Sequence, residues 1–218
     1  MKLKKIASLM LAGVLAVSML AACGEGAEKN PASSNETATA SGYSAMLAKE
    51  LKDTAAKSYV KFEDNAKDKT ALEDMLGGIQ NSVIVAAGQV AGAGSPIVSN
   101  QYTDEFVKDA GADDYIDGQI NFDDQLRMNG TWKVAKIYAA DGTVNINNVI
   151  KTIAENLDDD ALAANFVEKA VDANGVHQSK YSYVVSVSVV NVKGTENLEW
   201  NQSTNVVAVT VTRTGVDN

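Results

Sequence analysis

Tyr181-Ser182-Tyr183-Val184-Val185-Ser186-Val187-Ser188-Val189-Val190 is the stretch that decides the fold. Tyr181, Tyr183, Val185, Val187 and Val189 alternate with Ser182, Val184, Ser186, Ser188 and Val190. Successive side chains on a strand point to opposite faces, and β-branched and aromatic residues suit a pleated, half-buried surface. A period of two therefore predicts a strand here. A second run lies downstream, where Val207, Val209 and Val211 alternate with Ala208, Thr210 and Thr212. Residues 194–203 join the two, so an antiparallel pair is expected at the end of the chain.

Working back from this pair, the pattern changes to helix. Asp158-Asp159-Asp160 opens a helix expected to run through Leu162, Phe166, Ala170 and Val171, closed by Asn174-Gly175. Acids there serve as an N-cap at the positive end of the helix dipole. Residues 147–157 carry Val149, Ile150, Ile153 and Leu157 on one side of a further helix. Asp141-Gly142 marks a turn. Asn129-Gly130 stands between two strand-like runs, 119–128 and 131–138, and predicts a hairpin. Residues 103–110 read as a short helix.

Residues 43–90 show the helical period twice. Met46, Leu47, Leu51, Ala55, Tyr59 and Phe62 recur at three- and four-residue steps, as do Leu72, Met75, Leu76, Ile79, Val83, Ala86, Ala87 and Val90. A single helix over that span would be ~72 Å long. A domain of this size has a radius of gyration of only ~16 Å. Two helices are therefore expected, broken near residues 64–69 and bent at Gly77-Gly78. Helices first and strands last, without a repeating βαβ rhythm, predict the α+β class. The expected architecture is N-terminal helices packed on an antiparallel sheet that ends in the long C-terminal strand pair.

The start of the chain has another character. Residues 24–42 contain Gly, Glu, Ala, Lys, Asn, Pro, Ser and Thr and no large apolar residue. Such a segment buries too little surface to fold and reads as a tether, with a reach of roughly 23 Å. Before it, Lys2, Lys4 and Lys5 precede an uncharged, mostly apolar run over residues 6–22. A basic start, a short apolar core and small residues at the cut make a secretory signal peptide. As a membrane span, the run is at the short end of what crosses a bilayer, and Gly13 and Ser18 dilute it.

Leu20-Ala21-Ala22-Cys23 resembles the lipobox of bacterial lipoproteins, a resemblance confined to residues 1–24. It implies that the Cys23 thiol receives a diacylglycerol and that Cys23 becomes the mature N-terminus. Each buried acyl CH₂ contributes ~0.8 kcal/mol, and two chains suffice for stable anchoring. The expected organisation is a signal peptide at 1–22, the lipidated cysteine and tether at 23–42, and one globular domain at 43–218. The expected location is the outer face of the bacterial cytoplasmic membrane, or the periplasm or outer membrane where the envelope has one.

Composition narrows the chemistry. Cys23 is the single cysteine and is consumed by lipidation, leaving no disulfide, zinc cluster or thiol nucleophile. His177 is the single histidine, which excludes a histidine-based triad or two-histidine metal site within one chain. Without Lys2, Lys4 and Lys5 the chain carries 16 basic and 28 acidic residues, a net charge of −12. Such a charge disfavours nucleic acid as a partner.

The sharpest constellation runs from Asp113 to Asp124. Its spacing partly matches a calcium loop, with Asp113 first, Asp117 fifth, Gly118 at the turn, and Asn121 and Asp124 as ninth and twelfth ligands. Tyr115 stands where a short oxygen ligand belongs, and Asp124 reaches less far than the usual glutamate. The preferred reading is an acidic loop leading into the hairpin, with no metal, cofactor or catalytic group assigned. Trp132, Trp200, Tyr181 and Tyr183 are read as packing residues on strands.

These readings predict a lipid-anchored cell-surface protein with a non-catalytic binding or scaffolding domain. Its membrane contact is the lipid on Cys23, and its protein or small-molecule partner is unspecified. The alternatives are a small-solute or metal-ion binding lipoprotein, a pilin-like assembly subunit, and, last, an enzyme using a carboxylate pair.

Overall fold

The computed structural model describes residues 42–78, 95–96, 101–122, 129–171, 178–193 and 203–217, all within one compact unit spanning 38–218. In chain order the elements are α1 (Tyr43–Glu50), α2 (Lys52–Ala55), β1 (Val60–Phe62), α3 (Ala66–Gly78) and β2 (Ser95–Pro96). There follow α4 (Gln101–Ala110), β3 (Asp114–Tyr115), β4 (Gly130–Asp141), α5 (Ile146–Leu157) and α6 (Asp159–Asn165). The last are β5 (Lys169–Val171), β6 (Gln178–Lys193) and β7 (Ser203–Asp217).

β6 and β7 pair antiparallel along their whole length, with Tyr183 opposite Arg213, Val185 opposite Val211 and Val187 opposite Val209. β4 pairs antiparallel with the other side of β7, from Gly130 opposite Gly215 to Asp141 opposite Thr204. These three long strands are the centre of the sheet. Short strands finish its edges. β1 and β5 share the free side of β6, and β2 and β3 share the free side of β4.

The sheet is mixed, where a purely antiparallel one was expected. β1 runs parallel to β6, and β3 runs parallel to β4. β1 reaches β6 after several helices, the kind of long crossover that parallel pairing needs. The α+β class holds: helices pack on a mixed sheet whose three long strands pair antiparallel.

Helices cover both faces of the sheet. On one, Tyr181, Tyr183, Val185, Val187, Val207, Val209 and Val211 pack with Leu47 of α1, Val149, Ile150 and Ile153 of α5, and Leu162 of α6. On the other, Ala135, Ile137, Val206 and Ala208 pack with Leu72 and Met75 of α3 and Phe106 of α4. The alternation read in β7 sorts its residues between these two cores. Along α5, the four apolar positions named from the sequence are all buried. Each fully buried side chain of that size contributes about 1.5–3 kcal/mol.

Three expected elements differ. The helix drawn through Tyr59 and Phe62 is broken much earlier. α1 ends at Glu50, α2 lasts one turn, and Val60-Lys61-Phe62 is strand. Val60 and Phe62 are buried and Lys61 exposed, a period of two hidden inside a longer helical spacing. The helix opened by Asp158 stops at Asn165, and Ala170 and Val171 belong to β5. The first strand expected of the hairpin at Asn129-Gly130 lies partly outside the described residues, at 123–128. Residues 119–122 hold no strand, and the strand beginning at Gly130 pairs with β7. Gly130 has φ +103°, so the residue type suited to the turn supplies a left-handed strand start.

Other expectations match or lie elsewhere. β4 does turn at Asp141-Gly142, where Val144 N–H donates to Asp141 O at 3.1 Å. A Cβ on Gly142 would collide with the Ser203 backbone, so this turn requires glycine. The helical readings over 79–90 and the Asn174-Gly175 stop fall outside the described residues.

Candidate functional site

Asp113 and Asp117 are brought against β4 by contacts with its backbone and with a lysine. Asp113 pairs with Lys133 through backbone and side chain: its N–H donates to Lys133 O at 2.6 Å, and its Oδ2 accepts from Lys133 N at 2.7 Å. Tyr115 directs its hydroxyl at Ile137, donating to the carbonyl at 3.5 Å and accepting from the N–H at 3.3 Å. The carbonyls of Asp117 and Gly118 accept from the Lys136 ammonium at 3.2 and 2.5 Å. A protein cation thus occupies the turn where a calcium ion would sit, and a second cation there would be repelled. Among the described residues no group of three or more His, Cys, Asp or Glu side chains is placed to hold a metal. Asp124, Cys23, His177 and Trp200 lie outside the described residues.

Lys136 also shows what this packing does to ionisation. It is buried on β4, and burial lowers its pKa, opposed by the nearby Asp117 charge. Tyr115 is pushed up to about 12, first by burial, against its Ile137 hydrogen bond. Both shifts follow first from burial of polar tips at an edge of the sheet.

The aspartate triplet forms caps, one of them across the fold. Asp158 caps α6, its Oδ1 accepting from Ala161 N at 3.3 Å, and its φ of +58° turns the chain sharply out of α5. Asp159 instead caps α2. Its carboxylate accepts from Asp53 N at 2.8 Å, Thr54 N at 3.0 Å and Thr54 Oγ1 at 2.7 Å. Asp64 serves α1 in the same way, accepting from Ser44 N at 3.0 Å. The groove of about 400 Å³ beside Asp158 and Asp159 is lined by Glu50, Lys151 and Glu155 as well. Its two aspartates are already engaged as caps.

Tyr181 and Tyr183 are core residues around an unforeseen cation. Arg213 on β7 is 1 % exposed and lies against the rings of Tyr181 and Phe122, 4.7 and 5.2 Å from their centroids. Tyr183 stacks on Phe166 at 4.4 Å, nearly parallel, and donates its hydroxyl to Val167 O at 3.0 Å. Burial lowers the Arg213 pKa, opposed by the two tyrosines. No spacing in the sequence marks Arg213. Only its odd position in the alternating β7 run points it to the aromatic face.

A second concavity, among the described residues, lies where β1 and β5 leave a gap along β6. It encloses about 340 Å³ and is lined by Tyr59, Tyr181, Ser182, Thr214, Val216 and the Lys180–Glu168 ion pair, 3.6 Å apart. Tyr59 is fixed there, donating its hydroxyl to Phe166 O at 2.8 Å. Val216, 55 % exposed, gives the cleft an apolar wall. An aromatic floor with a charged rim can bind a small amphipathic molecule.

A third cluster lies on the opposite face of the sheet. The ammonium of Lys133 forms an ion pair with Asp68 of α3, both buried, and also donates to Ala110 O at 3.0 Å. Thr210 Oγ1 donates to the other Asp68 oxygen at 2.6 Å. Asp68 and Lys133 stand 65 positions apart, so nothing local in the sequence couples them.

No family model, curated protein or solved structure matches this chain.

Proposed function

We propose that this chain is a lipid-anchored bacterial surface protein whose single domain binds or scaffolds and does not catalyse. The observation that carries the reading is Leu20-Ala21-Ala22-Cys23 placed directly behind a basic start and a short apolar run. The engagement of Asp68, Asp113, Asp158 and Asp159 in caps, backbone contacts and an ion pair supports a structural use of the carboxylates. Intact-mass analysis of the protein extracted from bacterial membranes tests the anchor. A mature chain starting at Cys23 with a diacylglyceryl adduct is expected, and a chain retaining residues 1–22 would refute the reading.

The solute-binding alternative draws on the tyrosine-floored cleft between β1 and β5. It predicts that a small amphipathic ligand raises the thermal midpoint and that Tyr59→Ala abolishes the rise. The pilin-like alternative predicts filaments of the lipidated protein, which electron microscopy would reveal.

A further inference from the structure

We propose that Lys133 and Asp68 condense into an intramolecular amide that staples α3 to β4. This modification is independent of the lipid anchor and of any ligand. It rests on the positions of four groups around one buried carboxylate.

Asp68 and Lys133 are 1 % and 7 % exposed, and their side chains are in direct contact. Two charges held out of water are costly unless their geometry and further hydrogen bonds compensate. Here each group has one further partner. Ala110 O accepts from Lys133 Nζ at 3.0 Å, and Thr210 Oγ1 donates to Asp68 Oδ2 at 2.6 Å. The surrounding cluster on this face is apolar, with Ala71, Leu72, Phe106, Ala110 and Ala135.

The reaction needs no reagent beyond the pair. A proton passes from the ammonium to Asp68 Oδ1, leaving a neutral amine against a neutral acid. The Nζ lone pair attacks Cγ and forms the N–C bond. Negative charge develops on Oδ2, where the Thr210 hydroxyl already donates. The Cγ–Oδ1 bond breaks, and Oδ1 departs as water with the transferred proton and one more from Nζ. Proximity supplies the rest, since both reactants are held in contact by the fold.

The product fits the same site without rearranged partners. The amide N–H keeps Ala110 O as its acceptor, and the amide carbonyl keeps Thr210 as its donor. Both buried charges disappear. The bond closes a loop from residue 68 to residue 133, restricting the unfolded chain as a disulfide would. It does so in a chain whose one cysteine is in the lipobox.

Peptide mapping of the full-length protein tests this. The expected result is a linked peptide pair containing Asp68 and Lys133, lighter than the two separate peptides by one water, with no tryptic cleavage after Lys133. Lys133→Arg retains a cation and must yield only unlinked peptides. Thr210→Val leaves both reactants in place and should lower the linked fraction several-fold; an unchanged fraction overturns the role given to Thr210. Recovery of both wild-type peptides separately at full mass, after prolonged incubation of the folded protein, overturns the proposal. That wild-type measurement decides even where a variant fails to fold.

Discussion

Asp159, the first residue of α6, caps a helix to which it does not belong: its Oδ1 accepts both the backbone N–H and the hydroxyl of Thr54, at 3.0 and 2.7 Å. Helix α2 is only four residues long and has no side-chain cap of its own. An isolated helix of that length is unstable in water. The N-terminal segment is therefore held by a contact spanning 105 positions of sequence.

Replacing Asp159 with Ala should destabilise the domain by about 1–2 kcal/mol, the usual cost of a lost cap. Asp159→Asn keeps an acceptor oxygen and should lose less. Urea titration followed by circular dichroism reads both, with a lower midpoint and an unchanged slope. An equal loss for Ala and Asn would assign the effect to charge alone.

Cys23→Ser should release the protein from the membrane or leave it unprocessed. Two acyl chains supply the anchoring, and among the described residues no helix is long and apolar enough to cross a bilayer. Fractionation and immunoblotting provide the measurement. Retention of a processed Cys23→Ser protein in the membrane would contradict the lipid anchor.

Calcium should not bind at micromolar or tighter affinity in the 113–124 loop. Lys136 donates to the carbonyls of Asp117 and Gly118, and Asp113 accepts from the backbone of β4. Binding would have to displace a lysine ammonium and a strand contact together. Isothermal titration calorimetry decides the matter, and a tight site abolished by Asp113→Ala would overturn the assignment of those carbonyls to Lys136.

Stability should fall in alkali. Tyr115 titrates at about 12 in the fold against 10.0 for the free side chain, because burial disfavours its anion. Between these values the folded chain holds a proton that the unfolded chain has lost, so each step up in pH favours unfolding. Below pH 10 this contribution is fully present. Tyr138 and Tyr183 are raised by burial in the same direction and extend the loss to higher pH. Denaturant midpoints measured from neutral pH upward should hold steady, then drop above about pH 10. Tyr115→Phe should blunt the first part of that drop.

Some of this architecture was legible in the residues. The alternation in 181–190 and 207–212 identified β6 and β7, because a strand with differing faces imposes a period of two on its own sequence. Val149, Ile150, Ile153 and Leu157 identified the buried side of α5 for the corresponding helical reason. Asp141-Gly142 identified a turn from residue type alone, closed locally by the Val144 N–H to Asp141 O bond. Each of these signals lies within one element and depends on one contact surface.

What the residues did not disclose is non-local. Val60-Lys61-Phe62 and Lys169-Ala170-Val171 are too short to show a period, and both add to the edge of β6, which offers free backbone groups. Without that edge neither has a reason to be strand, and the helical spacing around them misled. Gly130 suits a turn, and the pairing of β4 with β7, whose partners lie more than 60 positions on, was not signalled by it.

The candidate sites divide the same way. The sequence by itself determined the lipobox reading, the strand pair and the amphipathic helices, because leader processing and periodic burial act on contiguous residues. Only the tertiary structure decided that Asp159 caps α2, that Lys136 enters the acidic turn, that Arg213 lies against the rings of Tyr181 and Phe122 and that Lys133 meets Asp68. Each of those contacts joins residues far apart in the chain. Hydrogen bonds and ion pairs act over a few ångströms of space, and the folded sheet sets which distant residues come that close.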